Sequence, residues 1–445
     1  MTTLQFVLSV AVKILLIVGF VFNMGALLTW LDRRQSAMMQ DRVGPNRAVL
    51  KIGKFELRVA GLLHTAADGV KFFFKEDFVP PKADKLLFAL APILCMAPVL
   101  GLLAVIPMTD TLCLESLTEV VPRAGGACTE GVAGAVAPLN VGILYVFAIA
   151  GQGTVGAAIA GWASDNKFSL LGALRAASQM VSYEVAIGLS LVGAMMVYGT
   201  VQLDEMVRWQ GEHTWGIFVQ PLAFILFFVS AVAENKRIPF DLPEAESELV
   251  AGYMTEYAGM KFGMFYFSEY MEIVTGSMLL VTIFLGGWQM PFLHPDGITI
   301  MLGEATLWHQ ELPHVAMVAL GVVVFFGKVI GMCSFQAFVR WSLPRFRYDQ
   351  LMKLGWRILL PLTLANILAT GVGVLAVQSA PARMDSVFAG FAQGTQILVF
   401  FVHLWLLFKF VTWIGGSREK KTWLVGSSAL QAAARGGSKH TPMQA

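Results

Sequence analysis

The chain has 445 residues, of which 56% are hydrophobic and 14% charged, with a mean hydropathy of +0.66. A soluble domain of ordinary composition carries roughly 25% charged residues, so this balance excludes one and calls for an integral membrane protein. The net charge of +2 gives no basis for nucleic-acid binding.

Nearly uncharged runs of about 20 residues are long enough to cross a hydrocarbon core of roughly 30 Å. Nine qualify: 4–30, 86–107, 138–161, 179–198, 216–233, 271–290, 315–336, 358–380 and 388–413. The expected fold is an all-α polytopic membrane protein of about nine transmembrane helices, one transmembrane domain over residues 1–413, followed by a mobile inner tail over 414–445. The first run is longer than a signal-peptide core and no A-x-A cleavage pattern follows it, so it reads as a retained helix. Basic loops stay on the cytoplasmic side. Segment 31–85 alone holds eleven Lys and Arg, whereas the alternate loops hold only Arg123, Arg208 and Arg383. This bias puts the N-terminus outside and the C-terminus inside, with the basic side facing anionic lipid headgroups.

Arg33, Arg34 and Arg42 follow the first run directly. Anchoring at the inner surface accounts for such a cluster, but the Gly44-Pro45-Asn46 turn would also fix these side chains relative to the helix end, which anchoring alone does not need. The rest of that inner loop mixes Phe55, Leu57, Leu62, Leu63, Val70 and Phe72 with Lys54, Arg58, Lys71 and Lys75, a pattern that suits one or two amphipathic helices in the interface. Cys113 and Cys128 share one external loop. A disulfide between them is open in an oxidising compartment, and spacing alone does not establish it. No C-x-x-C pair occurs and the seven histidines lack paired spacing, so no zinc, iron–sulfur cluster, haem or other metal is expected here.

Gly151-Gln152-Gly153-Thr154-Val155-Gly156 matches the dinucleotide pattern G-x-G-x-x-G, but it lies inside the third apolar run with no strand before it. Close helix packing through small residues is the better reading. Glu184 stands at the beginning of the fourth apolar run, where an ionisable group costs roughly 2.5–3.5 kcal/mol and so calls for a partner or a function. Snorkelling to the inner surface is the alternative.

The segment 234–270 carries Glu234, Asp241, Glu244, Glu246, Glu248, Glu256 and Glu269. Asp241 with Glu244 three residues on and Pro243 between them fits a helix start, so part of this acidity is structural. A solvated acidic face does not need the interleaved Phe240, Tyr253, Tyr257, Phe262, Phe265 and Tyr266. Carboxylates packed among apolar groups hold their protons to higher pH, so they can load and unload near neutrality, as a proton path requires. A second basic and aromatic cluster, Pro344 to Gln350, precedes the eighth run. Its Arg345 and Arg347 could orient a polar headgroup at the membrane edge or serve as another anchor.

These residues carry a family resemblance. The run 233–270 resembles the pattern E-x-N-R-x-P-F-D-L-x-E-x-E-S-E-L-V-x-G-x-x-x-E-Y of the membrane subunit of respiratory complex I called H in bacteria and 1 in mitochondria. The stretches QDRVGPN, GALRAASQMVSYEV and PRFRYDQLMKLGW agree with the same family, and together they cover the first eight runs. The resemblance implies a multi-pass subunit of the bacterial cytoplasmic (inner) membrane, beside the hydrophilic quinone-module subunits and the other membrane-arm subunits. It would form part of a quinone cavity and the first proton passage. Quinone would be the substrate and no cofactor would bind this chain; FMN and iron–sulfur clusters would sit in partner subunits. By family position, Asp68, Glu184, Glu234, Glu244, Glu246, Glu248, Glu256 and Glu269 belong to the acidic path, and Arg33, Arg34, Arg42, Asp241, Arg345 and Arg347 to the quinone side. Asp32 departs from the pattern, which usually has Glu there, and the 108–137 loop is longer than expected. Two rivals share intramembrane acids. One is the equivalent membrane component of an energy-converting hydrogenase-type complex, against which the Arg-rich Gly-Pro-Asn region argues. The other is a free-standing secondary transporter, which would show the paired internal repeats that this chain lacks.

Overall fold

Uninterrupted apolar stretches satisfy their backbone polar groups internally as helices, the form that lipid demands of a single chain. A computed structural model describes residues 3–379, apart from 53–54, 58, 114–130, 245, 292, 295–296 and 303–304. Helix α1 (Thr3–Met39) is followed by the hairpin β1 (Leu50–Ile52) and β2 (Phe55–Leu57), then α2 (Leu63–Phe74) and α3 (Lys85–Leu102). Next come the short pair β3 (Leu112–Cys113) and β4 (Gly131–Val132), then α4 (Gly142–Ala150), α5 (Gln152–Ala163) and α6 (Lys167–Tyr198). Helices α7 (Leu203–Glu212), α8 (Gly216–Val219), α9 (Pro221–Glu234) and α10 (Glu246–Leu249) lead to α11 (Gly259–Phe284). A three-stranded antiparallel sheet, β5 (Leu293–His294), β6 (Gly297–Leu302) and β7 (Ala305–Glu311), precedes α12 (His314–Ser342), α13 (Tyr348–Lys353), a π-helical turn at Leu354–Leu359 and α14 (Leu360–Ser379).

Seven helical stretches among the described residues are long and apolar enough to cross a membrane. They coincide with the expected runs except at 216–233 and 388–413. The first of these folds as α8 and the 14-residue α9, separated where Pro221 takes the first helical position and Gln220 turns its side chain inward to Asn366 and Thr370. The run 388–413 and the tail 414–445 lie outside the described residues, as does Cys128; Cys113 is disulfide-bonded, and Cys95 and Cys333 are free and buried.

Two departures from an all-helical reading have the same cause. Residues 50–57 and 297–311 contain apolar–polar alternation of period two, which forms hairpins, whereas apolar positions counted across a whole loop suggest a helix. Of the expected amphipathic helices in the first loop, α2 forms and the hairpin takes the place of the other.

Helix α11 is the centre of the bundle. Of its most apolar 18 residues 83% are buried, against 11% for α1, and α1, α3 and α12 pack around it. Asp84 starts α3 by accepting from the Leu86 and Leu87 amides, Asn166 starts α6 by accepting from that of Phe168, and Gly199 ends α6 at φ 69°. The glycines of the rejected motif do pack helices: a Cβ on Gly156 would lie 2.7 Å from Cys95 Sγ and 2.9 Å from its amide nitrogen, so α5 sits directly on α3.

Where α11 ends, Lys328 of α12 reaches across and donates to the carbonyls of Leu285 (2.7 Å), Gly287 (3.0 Å) and Gln289, with Trp215 beneath its ammonium at 4.1 Å. A cation at a helix C-terminus satisfies the carbonyls that the helix leaves open. Lys328→Met strands three buried acceptors, and is expected to cost about 2–4 kcal/mol. The melting midpoint of the detergent-extracted chain should fall, and fall less for Lys328→Gln, which keeps donors; equal midpoints for all three would contradict the assignment.

Candidate functional site

Basic residues from the end of α1, the turn after it and the end of α12 meet where α1 finishes. There the turn after α1 folds back onto the chain before α2: a Cβ on Gly61, at φ 91°, would lie 2.0 Å from the Pro45 carbonyl oxygen, so only glycine allows this approach. The fold-back leaves a cavity of about 630 Å³ lined by Asp32, Arg33 and Ser36 of α1, the 42–47 turn, His64 of α2, Tyr266 and Tyr270 of α11, and Arg340 and Trp341 of α12. Arg42 is steered by Gln40 Oε1 (2.6 Å) and Ser36 Oγ (3.2 Å), and Arg33 by Asp68 at 2.5 Å.

Behind the cavity wall lies a buried network of opposite charges. Arg237, in the loop after α9, stacks on the Tyr270 ring at 4.1 Å and lies 3.5 Å from Glu269 and 3.9 Å from Asp32. Asp32 also accepts from the Tyr270 hydroxyl (2.9 Å) and pairs with Arg340, while Glu269 accepts from the Tyr253 hydroxyl (3.1 Å). Among the described residues Arg237 Nε and Nη2 and Asn235 Nδ2 have no hydrogen-bond partner, and a cavity of about 20 Å³ beside them has room for a water.

The loop is held in this position by specific contacts. Gln179 of α6 donates to the Ala233 and Phe240 carbonyls at 2.7 and 2.9 Å. Phe240 stacks on Phe346, and the Phe346 amide donates to the Pro239 carbonyl, which brings Arg345 to 2.9 Å from Asp241. Gly172 lets the following segment lie on α6, since a Cβ there would stand 2.6 Å from Gly252 Cα. Burial pushes the Asp241 carboxyl up to about 6, with Arg345 opposing and Glu269 adding to the rise. Burial, then the neighbouring Glu269 and Asp241, push Glu244 well above the ordinary carboxylate range.

Deeper in the bundle is a second cavity, of about 80 Å³, walled by apolar side chains except at one end, where Glu184 of α6, Glu234 of α9, Asn235 and Glu272 of α11 converge. Glu184 occupies the space that glycine leaves at 151, its Oε1 2.8 Å from where a Cβ would be. Lys236 lies 3.5 Å from Glu272.

The expected residues thus fall into distinct places. Glu184 and Glu234 share the inner cavity. Asp241, Glu244 and Glu269 belong to the buried network, and the exposed Arg345 pairs with Asp241 at its edge. Arg33 and Arg42 line the large cavity, and Asp68 pairs with Arg33 at its edge rather than with the other acids. Arg34 is half-buried and does not line that cavity. Glu248 pairs with Arg175 at 2.9 Å and is largely exposed, Glu256 accepts from Asn166 at 2.5 Å, and Arg347 is exposed at the start of α13, where its amide donates to Gln350. The side chain of Glu246 lies outside the described residues. Lys236, Arg237, Glu272 and Arg340 were not anticipated. Glu272 follows Glu269 by one helical turn inside an apolar run, which was a readable signal; Arg340 reads as one more anchor until the fold brings it to Asp32.

Among the described residues no group of three or more His, Cys, Asp or Glu has the geometry to hold a metal. A family model described as NADH dehydrogenase matches residues 12–371. The first of the NADH-quinone oxidoreductase H subunits of Cytophaga hutchinsonii is 42% identical over 347 residues, 78% of this chain and 91% of that protein. The corresponding H protein of Flavobacterium psychrophilum is 40% identical over 370 residues, covering 83% and 98%, and the first such protein of Geobacter metallireducens is 43% identical over 359, covering 81% and 94%. The chain belongs to this family, the H subunits of NADH-quinone oxidoreductase, and is a membrane subunit of respiratory complex I.

Proposed function

We propose that the chain forms part of the quinone chamber of a proton-pumping NADH:quinone oxidoreductase and passes the charge change of quinone reduction to the membrane arm. The observation that carries this reading is the series of buried charged and polar contacts from the wall of the large cavity, through Asp32, Tyr270 and Arg237, to Glu269, one helical turn before Glu272 of the inner cavity. A quinone headgroup in the large cavity would meet the Tyr and Arg side chains, its isoprenoid tail staying in apolar surroundings. Reduction consumes two electrons and two protons. The electrons come from NADH through FMN and iron–sulfur clusters in partner subunits, and this chain binds none of them. Protons drawn from the network alter its charge, and Glu244, Glu269, Glu234 and Glu184 carry that change inward, with Asp68 and the remaining acids of segment 246–256 at its periphery.

In this reading the basic end faces the cytoplasm and the hydrophilic quinone-module subunits. The N-terminus lies outside a bacterial inner membrane, α8 and α9 complete one crossing, and residues 388–413 add a ninth before an inner tail. Lipid covers the exposed apolar faces of the outer helices, and the other membrane-arm subunits receive the charge signal.

Glu184→Gln with Glu234→Gln removes both acids from the inner cavity without enlarging it. In the assembled complex in proteoliposomes, inhibitor-sensitive quinone reduction and proton uptake are expected to fall together, by about tenfold or 1.4 kcal/mol of barrier. Normal pumping by a complex carrying both changes sinks the reading.

Asp241 supplies a pH test. With its carboxyl pushed up to about 6, the anion that holds Arg345 predominates above that pH and is lost as pH falls through it. Quinone reduction should therefore decline on the acid side near pH 6, while Asp241→Asn should be slow throughout and lack that limb. A full acid limb in Asp241→Asn assigns the decline to another group.

A further inference from the structure

Lys236 is the second residue after α9, at φ 54°, and its side chain turns into the bundle, where only 3% of it is exposed. Its ammonium lies 3.5 Å from Glu272 Oε2 and 5.9 Å from the Tyr253 ring, and the Tyr253 hydroxyl in turn donates to Glu269. Glu269 and Glu272 are one turn apart on one face of α11, and both act electrostatically on Lys236, together with Glu234 of α9 and the Cys95 thiol of α3. Among the described residues each carboxylate keeps one buried oxygen without a hydrogen bond: Oε2 of Glu269, which faces Arg237, and Oε2 of Glu272, which lies across from Lys236 on a side chain lining the inner cavity with Glu184 and Glu234. A single cation is therefore paired with one acid and acted on by the other, and the two acids belong to two different clusters.

We propose that Lys236 is the positioning residue that couples these clusters, its ammonium holding one of Glu269 and Glu272 ionised at a time. A buried cation cannot remain unpaired, so it follows whichever carboxylate is negative. When Glu269 gives a proton to the network that quinone reduction depletes, that carboxylate becomes negative and the ammonium is drawn wholly to it. Glu272, left without the cation, then takes a proton from the inner cavity, which has room for several waters beside Glu184 and Glu234. One proton leaves at Glu269 and one enters at Glu272, and Lys236 itself stays charged. Among the groups around the pair, Asp241 and Glu244 interact with Glu269, Arg237 acts on both acids, and Glu272 interacts with Glu234 and shares the inner cavity with Glu234 and Glu184. The proposal rests on the coupling role argued above.

The test uses Lys236→Met, Lys236→Arg, Glu272→Gln and the double variant Lys236→Met/Glu272→Gln in the assembled complex in proteoliposomes. NADH oxidation by an artificial acceptor reports assembly with the redox subunits. Lys236→Met is expected to lower quinone reduction and pumping about tenfold, with Lys236→Arg retaining most of both. A purely structural pair predicts the opposite for the double variant, since removing both members of a buried pair relieves the unpaired charge and restores function. An assembled double variant that still fails to pump supports the proposal, and restored pumping overturns it. Should Lys236→Met alone not assemble, the double variant decides. If Glu184→Gln/Glu234→Gln impairs pumping and Lys236→Met does not, only this inference falls; if neither impairs it, the coupling reading falls as well.

Discussion

Arg237 carries a permanent positive charge into a part of the bundle that bulk water does not reach, and the surrounding elements are arranged to meet it. Removing such an ion from water costs several kcal/mol even after relaxation, and the loss is recovered only by well-placed opposite charges and rings. Here the answer comes from three directions at once: Asp32 from α1, Glu269 and Tyr270 from α11, and the Tyr266 ring from the cavity side. Arg340 of α12 then has to share Asp32. The mutual position of α1, α11 and α12 is thus bound to one guanidinium, and charged side chains of the same helices, Asp32 and Arg340, line the large cavity. Packing and electrostatics are one constraint here.

Small residues set the second condition. Gly156 lets α5 touch α3, Gly172 lets the acidic segment lie on α6, and Gly151 leaves the volume that Glu184 fills. Gly156 and Gly172 bring backbones closer than any side chain would permit, and Gly151 makes room for a carboxylate. The acids can then remain in apolar walls with only a few waters, where a change of charge on one is felt strongly by its neighbours.

Much of this is legible in the sequence. Apolar runs locate every long helix among the described residues, because lipid imposes one solution on a single chain, and the interleaving of acids with aromatic residues in 234–270 marks the segment as buried and chemical. What periodicity does not supply is partnership. Asp68 reads as one more acid, yet it meets Arg33; Arg340 reads as an anchor, yet it meets Asp32; Glu248 reads as part of the path, yet it faces outward to Arg175. These pairings join residues far apart in the chain, and sequence spacing carries information about one helix at a time. The strands escape for a different reason: their alternation is read together with the apolar count of the loop around them, which masks it.

Two buried lysines show why partnership matters more than burial. Lys328 and Lys236 both leave water for the interior of the same bundle. Lys328 is met by the carbonyls of Leu285, Gly287 and Gln289, groups with fixed dipoles that cannot take up a proton, so the contact has a single state and its role is to hold the end of α11. Lys236 is met by Glu272 with Glu269 close by, groups whose charge can change, so the same ammonium has more than one favourable arrangement. A cation facing dipoles locks a fold; a cation facing carboxylates makes its position depend on where a proton is. The inner cavity is met by the second kind of contact, and the proposed transmission of a charge depends on that difference rather than on the number of acids in the segment.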